Sequence, residues 1–200
     1  AASAVATEIL ASKNVETLGI FGTGVQARGH IEAMLSVRPS IKKILICGRS
    51  PDSSNEFIET LGIEGYEIYT GSPEETASCN LICACTSSKT AVIPTESVKP
   101  GTHLNLIGSF SEAQKEADIG LIKTAEIYVD HKKAAKEEAG ELINAEREST
   151  WSFENIKGDF LDLISGNVIR TDPEAITLFK SVGLAIWDLI VAEMIFSDSN

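Results

Sequence analysis

The chain has 200 residues, 43% apolar and 23% charged, with a formal net charge of −12. That composition fits one globular domain, or one domain with an appendage. The acidity and the lack of a basic run argue against a nucleic-acid surface, and no stretch reaches the roughly 18 uninterrupted apolar residues of a membrane span.

The opening AASAVATEILAS reads as the interior of a helix, with no cap residue before it and no methionine, and it predicts sequence upstream. No signal peptide is visible. TLGIFG reads as a short buried strand, followed by a helix over residues 25–36 with Ile31, Met34 and Leu35 on one face. KKILIC is a second strand. PDSSNEFIETLG is a second helix, with Pro51 near its first turn and Gly62 past its end. YEIYT is a third strand, SPEETAS a short proline-started helix, NLICACT a fourth strand, HLNLIG a fifth and EIYVD a sixth. This alternation predicts an α/β fold: a doubly wound, mainly parallel Rossmann-type sheet with helices on both faces and its crevice at the carboxyl ends of the strands. Near the C-terminus Val182, Ala185, Ile186, Leu189, Ile190, Ala192, Ile195 and Phe196 occupy more than one helical face, although Asp188 and Glu193 interrupt the run. One stripe would suffice to dock on the sheet, so a second burial partner is expected.

The four cysteines are Cys47, Cys79, Cys83 and Cys85. Cys83 and Cys85 share a strand face, and neither C-x-x-C nor a zinc spacing occurs, so no metal site is expected. Small buried side chains in a reducing cytoplasm are the reading.

Gly22-Thr23-Gly24-Val25-Gln26-Ala27 fits G-x-G-x-x-[GA] between the first strand and the first helix. Gly22 would allow the tight turn, Gly24 the close approach of backbone to a pyrophosphate, and Ala27 close helix–strand packing. The helix start favours a phosphate there. After the second strand an NAD site carries an acid for the ribose hydroxyls. Here Gly48 stands in that place, followed by Arg49 and Ser50. The missing carboxylate and the added cation predict NADP rather than NAD. Asp52 suits the first turn of the following helix better than a ribose.

The segments SAVATEILAS, LGIFGTGVQARGHIEA, CTSS, PGTHLNLIGS, KEAD, YVD and ITLFKSVGLAIWD resemble, in order and spacing, the ornithine cyclodeaminase/mu-crystallin family over essentially the whole chain. The resemblance implies a nicotinamide cofactor and chemistry at the carbon–nitrogen bond of amino acids or cyclic imines. It also implies an additional N-terminal half that binds substrate and forms a homodimer, with this chain as the nucleotide-binding part. Residues 1–170 are then the dinucleotide-binding domain, and 171–200 a return segment and helix that packs on that other half.

Carried over position by position, the resemblance assigns Gly24, Val25 and Gln26 to the pyrophosphate, with Gly22 in the same turn. It assigns Gly48, Arg49, Ser50 and Ser53 to the adenosine ribose. Cys85, Thr86 and Ser87 fall in the loop under the nicotinamide ribose, and Ser181 near the nicotinamide, where it could equally cap the last helix. Cyclodeaminases of the family carry an aspartate shortly after the fifth strand; the matching residue here is Phe110, flanked by Ser109 and Ser111. Phenylalanine exchanges no proton, so a ketimine reductase or amino-acid dehydrogenase is expected over a cyclodeaminase, with Phe110 bordering the substrate pocket. Glu116 and Asp118 read as structural groups on a helical surface. The family's substrate arginines and catalytic lysine lie in the other half, and Lys115, Lys123 and Lys180 do not occupy that place, so this polypeptide alone should bind cofactor and turn over slowly or not at all. Three alternatives stand beside this: a non-catalytic mu-crystallin-like binder of NADP(H) or a small ligand, an ornithine cyclodeaminase-type enzyme, and an unrelated Rossmann reductase in which FKSVG lies far from the cofactor.

Overall fold

A computed structural model describes residues 1–198. Eight strands form one wholly parallel sheet: β1 (Thr17–Phe21), β2 (Lys43–Cys47), β3 (Glu67–Thr70), β4 (Leu81–Ala84), β5 (His103–Leu106), β6 (Glu126–Val129), β7 (Gly158–Asp159) and β8 (Thr177–Lys180). Their spatial order is β3-β2-β1-β4-β5-β8-β6-β7. The chain winds outward from β1 to β3, then returns to the other side of β1 with β4. The switch point therefore lies between β1 and β4, where a ligand crevice opens.

Helices cover both faces. They are α1 (Ala2–Leu10), α2 (Val25–Val37), α3 (Pro51–Leu61), α4 (Pro73–Ala77), α5 (Ile119–Thr124), α6 (Lys132–Glu138), α7 (Gly140–Glu148), α8 (Phe160–Ile164) and α9 (Ala185–Asp198). Alternation along β1 sorts its side chains: Leu18 and Ile20 pack with Ile31 and Met34 of α2, while Phe21 joins Ala77 of α4 and Leu121 of α5 on the other face. Gly19 lets α4 rest directly on β1, since a Cβ there would stand 2.3 Å from the Thr76 carbonyl oxygen. Cys83 packs in the α2-side cluster with the half-buried Cys85 against it, and all four thiols are free.

The predicted helix starts follow local capping chemistry. Ser50 caps α3 in a reciprocal box with Ser53, Ser72 caps α4 in one with Glu75, and each helix has its proline in the first turn. Gly62 ends α3 with φ of 63°, a left-handed conformation that favours glycine. Arg38 is buried and closes the other end of α1: its guanidinium donates to the carbonyls of Thr7, Glu8, Ala11, Ser12 and Val37.

The return segment after residue 170 contributes a strand. Thr177–Lys180 is a strand buried at every position and inserted between β5 and β6, so residues 177–180 belong to the sheet itself. Beyond it α9 carries exposed apolar side chains, Ile186, Leu189, Val191 and Met194 among them, while Trp187 packs edge-on against Phe160 at 4.7 Å. Among the described residues no helix is long and apolar enough to cross a membrane.

Candidate functional site

A cavity of about 1110 Å³ opens at the carboxyl ends of β1, β2 and β4. Its floor is the turn from β1 into α2. Gly22 holds φ of 111°, and a Cβ there would stand 2.6 Å from the Cys85 carbonyl oxygen, so only glycine fits this turn. Gly24 is the N-cap of α2 and meets nothing within 4 Å of where a Cβ would be. No side chain caps α2, in contrast to α3, α4 and α5. Its first-turn N–H groups and its dipole are thus presented to an anion. Ala27 is fully buried in the helix–sheet contact. Val25 and Gln26 are exposed in the first turn and lie outside the residues lining the cavity. Arg28 is spent on structure, donating to the carbonyls of Thr60 and Leu61 at the end of α3.

Past β2, Gly48, Arg49, Ser50 and Ser53 all line the cavity. A Cβ at Gly48 would meet Ser53 Oγ at 2.6 Å, Thr23 Cγ2 at 2.8 Å and Ser54 Oγ at 2.9 Å, so a side chain there would displace these neighbours. Ser54 is a residue the sequence reading missed: it is buried, and its Oγ accepts the Gly48 N–H at 2.8 Å. Ser53 Oγ donates to the Ser50 carbonyl, whereas among the described residues Ser50 Oγ only accepts, from the Ser53 N–H. Arg49 is exposed, and among the described residues no hydrogen bond or ion pair engages its guanidinium. Asp52 stands in the first turn of α3, outside the cavity lining.

On the far side of the switch point, Cys85, Thr86 and Ser87 line the cavity, joined by Ser88 and by the apolar Val92, Ile93 and Pro94, which carried no motif to mark them. Burial pushes the Cys85 thiol well above its ordinary value, so it offers no thiolate.

Three of the residues singled out lie outside that lining. Ser181 does not cap the last helix, because α9 begins at Ala185; its hydroxyl donates to Asp130 Oδ2 at 2.8 Å, and it lies outside the cavity lining. Phe110 is 58% exposed on the loop after β5, also outside that lining, while Ser109 beside it turns fully inward. Glu116 is not on a helical surface: it is buried in the turn before α5. Asp118 is the exposed N-cap of α5 and accepts the Leu121 N–H and the Thr95 hydroxyl. Lys180, at the end of β8, is wholly buried.

The profile of the ornithine cyclodeaminase/mu-crystallin family matches residues 1–200. A Delta(1)-pyrroline-2-carboxylate reductase of Bacillus cereus is 36% identical over 202 residues, covering 98% of this chain and 61% of that protein. The structure of the Thermococcus litoralis Delta(1)-pyrroline-2-carboxylate reductase in complex with NADH and L-proline is similar at a TM-score of 0.94 and 32% identity, covering 98% of this chain and 62% of that one. An archaeal alanine dehydrogenase dimer with bound NAD is similar at a TM-score of 0.92 and 30% identity, with 99% of this chain and 62% of that one covered. The chain thus spans about 61% of the length of the curated relatives it matches. A family match over the whole chain replaces the alternative of an unrelated Rossmann reductase.

Proposed function

This chain belongs to the ornithine cyclodeaminase/mu-crystallin family, and we propose that it is the NADP(H)-binding part of an oxidoreductase that acts on the carbon–nitrogen bond of a cyclic imine or an amino acid. The observation that carries the reading is the cavity at the β1/β4 switch point, floored by Gly22 and Gly24 and faced by the uncapped start of α2. Relatives at 30% identity or more include pyrroline-2-carboxylate reductases and an alanine dehydrogenase, which supports the reaction class.

In this reading Gly22, Gly24, Val25 and Gln26 hold the pyrophosphate through backbone N–H groups. Gly48, Arg49, Ser50 and Ser53 hold the adenosine ribose and its 2′-phosphate, and Cys85, Thr86 and Ser87 border the second ribose. The crowding at Gly48 disfavours a ribose-binding acid, while the unengaged Arg49 and the Ser50 hydroxyl suit a phosphate. Ser181, held by Asp130, follows β8 at the same carboxyl end of the sheet as the cavity. A bound nicotinamide supplies the hydride chemistry, and the chain's own residues orient it. The exposed apolar surface of α9 supports a further packing partner in the whole protein, a homodimer included.

The test is paired titration with NADPH and NADH, followed by an assay of cofactor oxidation with a cyclic imino acid, and with a 2-oxo acid plus ammonia. Absence of binding to either dinucleotide overturns the reading. Binding without turnover of any substrate, in the whole protein, favours the second reading, a ligand-binding role.

A further inference from the structure

Glu116 lies three residues before α5 and is fully buried. Its Oε1 accepts the Thr86 N–H at 2.6 Å, and its Oε2 accepts the Gly108 N–H at 2.8 Å. One carboxylate therefore joins the loop after β4 to the loop after β5. The join has no slack: a Cβ at Gly108 would stand 1.9 Å from the Thr86 carbonyl oxygen and 2.3 Å from its nitrogen.

A buried carboxylate is costly unless it is paired and hydrogen-bonded. Compensation comes from the sheet. Lys180, also fully buried, donates to the Leu106 carbonyl at 3.3 Å, the Ser109 carbonyl at 2.5 Å and Ser109 Oγ at 2.8 Å, and stands 3.7 Å from Glu141 Oε1. Ser109 Oγ in turn donates to Glu141 Oε2. Burial holds the Glu116 carboxyl above its ordinary value; Lys180 and the two N–H bonds oppose that rise without cancelling it, and Glu141 adds to it. A hydrocarbon side chain of similar size would fill the space without this charge network. The acceptor pair does something packing alone cannot: it sets the relative height of two loops.

Of those loops, 85–88 lines the cavity on the side away from Arg49. In a doubly wound sheet the two halves of a dinucleotide lie on opposite sides of the switch point. The loop held by Glu116 is thus beside the half opposite the adenosine.

We infer that Glu116 is a positioning residue for the nicotinamide half of the bound dinucleotide, acting through the Thr86 loop and touching no ligand itself. This rests on the dinucleotide reading above. The experiment is calorimetric titration of the wild type and Glu116→Gln with the tighter-binding of NADPH and NADH, and with the matching adenine half, adenosine 2′,5′-bisphosphate or ADP. Glutamine keeps one acceptor and turns an amide N–H₂ toward the other donor. Whole-cofactor affinity should fall about tenfold, the scale of a hydrogen bond to a charged group, with the adenine-half affinity unchanged. A general loss of structure would weaken both ligands alike, and that result overturns the inference, as does an unchanged affinity for the whole cofactor. Should Glu116→Gln not fold, Glu116→Asp is titrated instead; it keeps the charge near Lys180 but is one methylene too short to reach both N–H groups, and the same split is expected. Failure of both variants to fold assigns Glu116 to stability alone and overturns the inference. If the wild type binds neither dinucleotide, the dinucleotide reading itself has failed, a result distinguishable from the others.

Discussion

Asp130 Oδ2 accepts the Ser181 hydroxyl at 2.8 Å and, with the same oxygen, the N–H groups of Val182 at 2.9 Å and Gly183 at 3.0 Å. The carboxylate at the end of β6 thereby fixes the turn that leaves β8 for α9. Asp130 is only 4% exposed and its Oδ1 also accepts the His131 N–H at 2.8 Å, so its loss leaves four donors without this partner. Asp130→Ala should destabilise the protein by roughly 2–4 kcal/mol, and Ser181→Ala by about 1 kcal/mol, since the backbone N–H bonds survive in the latter. Urea unfolding of both variants checks this; equal losses would show that the hydroxyl, not the turn, is what the carboxylate holds.

Arg49→Ala separates the two nicotinamide cofactors. A charge-assisted contact to a 2′-phosphate contributes about 1.5–3 kcal/mol, so NADPH affinity should fall roughly ten- to hundredfold. NADH lacks that phosphate and should be nearly indifferent. Paired titrations decide it, and equal weakening of both cofactors makes Arg49 an ordinary surface residue.

Two glycines of one loop should behave differently. Gly24 has extended backbone, φ −102° and ψ −172°, with open space where a side chain would go. Gly24→Val should therefore keep the circular dichroism spectrum of the wild type while abolishing detectable cofactor binding, because the new side chain projects into the phosphate path. Gly22→Val should instead lose the fold, given its φ of 111° and the Cys85 carbonyl 2.6 Å from a Cβ. A folded, cofactor-binding Gly24→Val would remove the phosphate assignment.

His103 carries a pH signature. Burial pushes its imidazole down to about 3, with Arg170 and Arg38 adding to the effect, and its Nδ1 hydrogen-bonds Thr177 Oγ1 at 2.9 Å. The unfolded chain protonates a histidine near pH 6.5. Between about pH 6.5 and 3 the unfolded state binds the extra proton, so this group's contribution is complete above pH 6.5 and is lost as pH falls through that window. His103→Gln should flatten the fall in stability over that range relative to wild type, measured by denaturant unfolding at successive pH values. Parallel curves for the two proteins would show that His103 is not held neutral.

The sequence by itself determined what is local. Strand-length apolar runs, Ser50 and Ser72 before proline-started helices, Gly62 at a left-handed helix end and the Gly22–Gly24 turn are each written within a few residues, because capping, φ preference and burial period act over that distance. The six strands read in order and the parallel, two-faced sheet follow from those signals. Only the tertiary structure decided that TLFK at residues 177–180 enters the sheet between β5 and β6, since which strands pair is settled by contacts between residues far apart in sequence, such as His103 with Thr177 and Glu126 with Thr177. The same holds for the buried charges. Glu116, Asp130, Arg38 and Lys180 look like surface residues in sequence, because charged side chains are rarely interior. Their partners are backbone groups of distant loops, helix ends and strand ends, which come within hydrogen-bonding distance only once the sheet has assembled.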